Sequence, residues 1–263
     1  MVEWDSLRGP GSTIGPVSVS VGVFDGVHIG HRRLLHSIVV PGGRTASLVV
    51  TFRQNPARVL RKAEYSGDIL TLDQKLERMK SLGVQWVVLI DFSARFSRLP
   101  GEAFVERVRE SLDVCKVAVS DNFHFGHRGR AGVAELKAML ASSPIEVEVV
   151  EPETWAGMVV SSSRIREAVV EARFKDVRRM LAADYALDLR AWAGKSGRTI
   201  ERKDLSQVLP GMGRYRVAFS TSATRRPADA TRGEICVGQD TLELQPARPD
   251  SELETAVFAE RIH

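Results

Sequence analysis

Residues 17–31 read VSVSVGVFDGVHIGH. The apolar run Val17–Phe24 has the character of a sheet-buried strand, and a helical pattern follows near Arg32–Val39. A buried strand that turns at once into a helix is the repeating unit of doubly wound α/β sheets. Gly22 and Gly26 let the backbone approach a ligand where a Cβ would clash. The start of the helix aims free N–H groups and a positive dipole end at an anion. His28 and His31, three positions apart, share a face of the first turn. Two imidazoles placed there can donate hydrogen bonds to phosphate oxygens and stabilise charge that develops on them.

The same alternation continues outward. Apolar runs at Ala46–Phe52, Trp86–Ile90, Val114–Val119 and Ile145–Val150 alternate with helical patterns at Asp73–Leu82, Glu102–Ser111 and Val133–Ala141. Two more helical stretches follow at Arg164–Glu171 and Lys175–Ala182. The expected fold is α/β, a doubly wound parallel sheet with ligands outside the carboxyl ends of its strands. From about Ala186 the pattern changes to short strands, loops and prolines: Leu187–Ala193, Tyr215–Ser220, Glu234–Val237 and Thr241–Leu244. This predicts a second, small β-rich, barrel-like domain closed by a short helix over Ser251–Ile262. The division falls near Ala183–Asp188, giving residues 1–185 and 186–263.

The bulk composition excludes several classes. The 263 residues are 43% hydrophobic and 27% charged, with a net charge of +4, which suits a globular chain with a phosphate-bearing ligand. Cys115 and Cys236 are too few for a disulfide framework and read as reduced thiols. The start MVEWDSLRGPGST has neither a basic opening nor an apolar stretch, so no secretory leader is expected. No apolar run is long enough to span a bilayer. A cytoplasmic location without membrane contact follows as the expectation. No basic stripe interleaved with aromatics points to nucleic acid.

A second motif, Val160–Arg166, reads VSSSRIR. Its serines are fitted to cap the helix that follows. They also offer hydroxyls, helix N–H groups and the forks of Arg164 and Arg166 to a second anion. Two anion sites suggest a triphosphate gripped from both sides.

GxFDGxHxGH followed much later by SSxRIR resembles the flavin-adenylylating module of the bacterial bifunctional riboflavin kinase/FAD synthetase family, one of the HxGH nucleotidyltransferases. The resemblance runs from about Ser18 to Tyr185 and has three landmarks between. Val50–Pro56, VTFRQNP, is similar to the family's TFxPHP. Asp91–Phe104, with Phe96 and Phe104, resembles its acidic and aromatic F…F stretch. Val117–Gly132, VAVSDNFHFGHRGRAG, resembles VxGxDFxFGxxxxG.

The resemblance implies adenylyl transfer from ATP to FMN with release of pyrophosphate. It implies that Gly22, Phe24, Asp25, Gly26, His28 and His31 line the ATP phosphates and adenosine. Ser161, Ser162 and Arg164 would hold the β- and γ-phosphates, with Arg166 beside them, and His28, His31 and Arg164 would act in catalysis. Asn55, Asn122, Phe123 and Phe125 would bind the flavin, Asn55 standing where the family has the histidine of PHP. Asn55 can hydrogen bond but carries no charge. Arg53, Gln54 and Ser120 also depart from the family's pattern, all on the acceptor side. Mg²⁺ would bridge phosphates and keep most of its waters, with no dedicated protein cage.

In the second domain, Gly197–Arg198 and Leu209–Val217, LPGMGRYRV, resemble the framework of the family's riboflavin kinase barrel. The kinase's Pro-Thr-Ala-Asn segment is missing from the stretch between, where Ile200–Leu205 reads IERKDL. A truncated module without riboflavin kinase activity is expected. Two other functions stay open: transfer to a different phosphorylated acceptor, and non-catalytic binding of a flavin or nucleotide. Oligomeric state is not legible. His124 and His127 could be drawn with His28 and His31 as a zinc site, but both pairs sit inside motifs that explain them better. Gly194–Ser196, GKS, lacks the upstream glycine of a phosphate loop and reads as a turn. Arg173–Arg179, RFKDVRR, reads as a solvated helix face, and Trp86, Trp155 and Trp192 as packing residues.

Overall fold

The computed structural model describes residues 1–7, 14–60, 64–192, 198–221, 230–246 and 253–262. The GKS turn lies outside them. Packing divides the chain into two compact units, Met1–Tyr65 with Lys75–Val159, and Ser66–Gln74 with Val160–His263. That line falls elsewhere than the module division expected at Tyr185.

In chain order the elements begin with β1 (Val2–Glu3), β2 (Pro16–Val21), α1 (Ile29–His36), β3 (Ala46–Phe52) and α2 (Pro56–Leu60). α3 (Leu72–Ser81), β4 (Trp86–Ile90), α4 (Gly101–Ser111), β5 (Asp113–Ser120) and α5 (Val133–Leu140) follow. Next come β6 (Glu146–Val150), β7 (Thr154–Trp155), β8 (Met158–Val159), α6 (Ser162–Val170) and α7 (Phe174–Leu181). The last are β9 (Ala186–Asp188), β10 (Thr199–Glu201), β11 (Gly213–Thr221), β12 (Thr231–Val237), β13 (Thr241–Pro246) and β14 (Leu253–Ile262).

The first unit is built on a six-stranded sheet in the order β1-β4-β3-β2-β5-β6, with every pair parallel. Neighbouring residues of a strand face opposite sides. Val49 and Val50 are both fully buried, so both faces of the sheet are covered. One face packs against α4 and α5 through Val17, Val19, Val50, Phe104, Val108 and Leu136. Leu and Val side chains buried to this extent contribute about 1.5–3 kcal/mol each. The central strand can afford two serines because both are satisfied. Ser20 Oγ donates to Ala118 O at 2.8 Å, and Ser18 Oγ shares a hydrogen bond with Thr45 Oγ1 at 2.9 Å. The chain runs β2, β3, β4 in one direction and then β5, β6 in the other. The order therefore reverses between β2 and β5, the position where ligands of such sheets bind.

The second unit holds an antiparallel half-barrel in the order β10-β13-β12-β11-β14-β9, with α6 and α7. Its core stacks Phe174 on Phe258 at 5.3 Å between centroids, with Tyr185 and Tyr215 alongside. The helix expected over Ser251–Ile262 is not what this stretch forms. Leu253–Ile262 is a strand, paired with β11 on one side and β9 on the other. Leu253, Ala256 and Phe258 are buried, and a bulge between Arg216 and Val217 lets the register shift. Two flanking strands outweigh the helix-forming residues of this stretch. The RFKDVRR face is solvated as expected, with Lys175, Arg178 and Arg179 exposed. Ser66–Gln74 packs in this unit through Gln207. Gln207 Nε2 donates to Ile69 O, Gln74 Oε1 and Ala186 O, each at 3.1 Å.

Candidate active site

The chain leaves β2 through Gly22 and Val23 into a tight turn. Val27 N–H donates to Phe24 O at 3.2 Å and closes the turn around Asp25 and Gly26. Phe24 (φ 53°), Gly26 (φ 86°) and Val27 (φ 43°) all lie in the left-handed region. For the two with side chains this costs about 1–2 kcal/mol each, which their complete burial offsets. A Cβ on Gly22 would lie 3.1 Å from Phe24 Cε2, so the ring lies directly over that glycine.

His28 is the N-cap of α1. Its Nδ1 accepts from His31 N–H at 3.3 Å. In the neutral ring the proton therefore sits on Nε2, which is left as a donor. The His28 and His31 rings stack with centroids 3.6 Å apart and planes within 18°. Among the described residues, His31 Nδ1 is buried without a hydrogen-bond partner. Burial pushes the His28 pKa down to about 4. Burial, then the neighbouring His28 and Lys75, holds His31 well below the usual histidine range. Both imidazoles are thus uncharged at neutral pH. The α1 terminus supplies positive dipole character without added cationic charge on the rings.

Asp25 is buried, and Asn55 Nδ2 donates to its Oδ2 at 3.2 Å. Asn55 Oδ1 in turn accepts from Ala57 N–H at 3.0 Å. Asn55 is therefore fixed against the turn that carries Asp25 and the histidines.

Composition and periodicity did not reveal Lys75. It is buried on α3, and its Nζ donates to Phe52 O at 2.7 Å, with Val23 O and Thr51 Oγ1 each at 3.4 Å. One ammonium so ties the carboxyl ends of β2 and β3, from which the GVFDGVHIGH and VTFRQNP segments emerge. Arg78 Nη1 donates to Gly26 O at 3.2 Å from the same helix. In sequence these two are ordinary members of the LDQKLERMK helical pattern. Arg33 pairs with Glu153 at 3.0 Å and ties α1 to the segment after β6.

On the other side of the reversal point, β5 runs into Asp121–Ala131. Asn122 is exposed, with its Oδ1 held by Ser120 Oγ at 2.8 Å. Phe123 is half-buried and stacks on buried Phe125 at 5.2 Å. Reciprocal hydrogen bonds between Phe125 and Ala131 close the loop.

The serine motif lies in the second compact unit. Ser161 caps α6, its Oγ accepting from Arg164 N–H at 3.3 Å, so the capping role is present. Ser162 and Arg164 are half-buried on the first turn. Arg166 Nε donates to Gly67 O at 2.8 Å, which gives that side chain a structural bond inside its own unit.

Among the described residues, no group of three or more His, Cys, Asp or Glu side chains is placed to hold a metal ion. No helix among them is long and apolar enough to cross a membrane.

Residues 12–164 match the FAD synthetase family. The bifunctional riboflavin kinase/FMN adenylyltransferase of Listeria monocytogenes serovar 1/2a is 30% identical over 211 residues, which are 76% of this chain and 67% of that relative. The protein of the same description from Escherichia coli (strain K12) is 28% identical over 188 residues, 69% of this chain and 59% of that relative. The chain thus spans about two thirds or less of the length of these relatives. In fold, a macrolide-efflux protein from Streptococcus pneumoniae is similar with a TM-score of 0.76 at 22% identity, covering 96% of this chain and 95% of that one. With the reversed parallel sheet, the histidine pair at its switch point and a match over most of the first unit, the chain belongs to the FAD synthetase family and is a nucleotidyltransferase.

Proposed function

We propose that the protein transfers the adenylyl group of ATP to FMN, releasing pyrophosphate, and does not phosphorylate riboflavin. The observation that carries this is the stacked, uncharged His28–His31 pair at the start of α1. A phosphate oxygen of FMN attacks the α-phosphorus of ATP in line. The new P–O bond forms as the bond to the β-phosphate oxygen breaks, and both electrons leave with pyrophosphate. No covalent enzyme intermediate is needed, so the protein's part is positioning and charge stabilisation.

His28 Nε2–H and the α1 N–H groups donate to the α-phosphate, where charge builds up. Gly22, Phe24, Asp25 and Gly26 shape the turn that receives ATP. Ser161, Ser162, Arg164 and Arg166 are proposed to hold the distal phosphates. Asn122, Phe123 and Phe125 are proposed to border the flavin, with Asn55 holding Asp25 in place. Mg²⁺, bound through the phosphates and water, would neutralise charge on the triphosphate. Residues 1–185 would form the adenylyltransferase module and 186–263 a kinase-like β module. The IERKDL stretch in place of the kinase motif supports the loss of kinase activity. The expected setting is the cytoplasm, with ATP and FMN as small-molecule partners and no nucleic acid or membrane.

The test is to incubate the protein with Mg²⁺ and ATP, offering FMN or riboflavin in parallel, and to separate the flavins. FAD from FMN and no product from riboflavin is the expected result. No FAD from FMN removes the transfer, and FMN from riboflavin removes the kinase loss.

A further inference from the structure

Two loops leave the carboxyl edge of the first unit's sheet and lock against each other. One follows β4, residues 91–100, DFSARFSRLP; the other follows β5, residues 121–131, DNFHFGHRGRA. Gly126 has φ 74°, and a Cβ there would lie 2.7 Å from Gly101 N and 2.9 Å from its Cα. A Cβ on Gly101 would in turn lie 3.0 Å from Ala131 Cβ and 3.1 Å from Phe125 Cε2. The backbones cross with no space for a side chain. Single 3₁₀ turns at Phe96–Arg98 and His127–Gly129 pack together beside this crossing.

The charge at this crossing is one-sided. The two loops carry Arg95, Arg98, Arg128 and Arg130 with His124 and His127, against Asp91 and Asp121. Asp91 is taken by Arg53 at 2.9 Å. All four arginines are exposed, and among the described residues none of their guanidinium groups has an ion-pair or hydrogen-bond partner. Some arginines elsewhere are matched, Arg33 with Glu153, Arg107 with Asp5, Arg190 with Asp188, Arg214 with Glu234 and Arg216 with Glu260. Others, such as Arg44, Arg58 and Arg109, are exposed singly, whereas here four fall within two loops that lock together. Arg128 is also held at φ 58°, a conformation that costs a side-chain-bearing residue about 1–2 kcal/mol. The half-buried ring of Phe123 lies in the same loop, stacked on Phe125. Unpaired guanidinium forks next to an aromatic face suit a ligand that is aromatic at one end and carries a phosphate. The loop with Phe123, Arg128 and Arg130 grows from β5, next to β2 at the switch point, where the His28 turn begins.

We propose that Arg95, Arg98, Arg128 and Arg130 form an acceptor gate that captures the phosphate of the incoming flavin, selecting FMN over unphosphorylated riboflavin before any chemistry. The inference rests on the adenylyl-transfer function proposed above. The transfer proposed above joins two phosphates, so its acceptor must already carry one, and a phosphate monoester carries about −1.5 to −2 charges at pH 7. A positive rim draws such an anion in and raises its local concentration, an effect that salt weakens.

The test is flavin fluorescence titration with FMN and with riboflavin, on the wild-type chain and on the variants Arg128→Ala/Arg130→Ala and Arg95→Ala/Arg98→Ala. All four side chains are exposed and, among the described residues, unpaired, so the fold should be retained, which circular dichroism checks. The expected result is a loss of about tenfold in FMN affinity for either pair, with riboflavin affinity unchanged. The preference of wild type for FMN over riboflavin should shrink as salt is raised. Equal changes for FMN and riboflavin, or no change for either, overturn the gate. The outcomes separate it from the proposed reaction. FAD formation with no FMN-selective loss in the variants removes the gate alone. FMN-selective loss without FAD formation by wild type removes the transfer and leaves an anionic-flavin site.

Discussion

The imidazoles of His28 and His31 lie face to face, 3.6 Å between centroids, and the His28 Nδ1 caps the helix on which His31 sits. A proton on either ring would lie buried and close to the other, so neutrality is the condition of this packing. The folded pKa values are depressed, to about 4 for His28. The unfolded chain takes up protons first as pH drops below about 6.5. Stability is therefore complete above that pH and declines from about 6.5 towards 4, by about 1.4 kcal/mol per pH unit for each histidine. Urea unfolding at pH 7 and at pH 4.5 measures this. In His28→Asn, which keeps a capping side chain, the slope should be shallower.

Turnover gives a second expectation for the same pair. His28→Asn leaves α1 capped but removes the Nε2–H donor. The expected loss in kcat is about 10²–10³-fold, the scale of losing one donor to a developing anion. A kcat within twofold of wild type would remove His28 from the site.

Lys75→Met should be costly. Phe52 O loses its 2.7 Å donor, while Val23 O keeps a 3.0 Å hydrogen bond from Thr51 Oγ1. A buried acceptor left without its donor costs about 1–3 kcal/mol, measurable by denaturant unfolding. Because the Lys75 charge lowers the His31 pKa, the variant's His31 ring should titrate at a higher pH in an NMR titration. An unmoved His31 titration would show that the two groups are not coupled.

Ser161 has two separable tasks. Ser161→Ala should lose about 1 kcal/mol through the missing cap. Ser161→Asp keeps a good cap, and its charge favours the helix start. If the turn also receives phosphate, the aspartate should preserve thermal stability yet raise the KM for ATP about tenfold or more by like-charge repulsion. An unaltered KM would leave Ser161 a cap alone.

Two glycines of the Asp121–Ala131 loop should behave unequally. Gly126→Ala meets both a positive φ and the backbone of Gly101 at 2.7 Å. Gly129→Ala meets a φ of 63° but nothing nearer than His124 Cβ at 3.6 Å. The second should cost about 1–2 kcal/mol and the first clearly more, as thermal denaturation would record.

Apart from the two-residue β1, the strands of the first sheet were legible because each is a short, largely apolar run between turn residues. The histidine turn was legible because its glycines and helix start have few other uses. What stayed hidden depends on neighbours distant in sequence. Trp4, in the segment read only for a leader, is buried on Phe104 at 5.2 Å, beside an edge strand of two residues. Lys75 has the spacing of a solvated lysine, and only the carbonyls at the ends of β2 and β3 make it a buried one. The stretch ending at Ile262 reads as helix until the flanks of β11 and β9 are present.

The place of Ser66–Gln74 has a consequence for how the chain is made. Gln74 shares its buried hydrogen bond with Gln207, 133 positions later. At about 5–20 residues per second, a ribosome delivers that partner roughly 7–27 s after Gln74 itself. Throughout this interval the segment has no final resting place, and a nascent chain interrupted before Gln207 would leave it exposed to chaperones and proteases. The half-barrel thus works as a late-arriving clasp, completing a strip of chain that was synthesised much earlier.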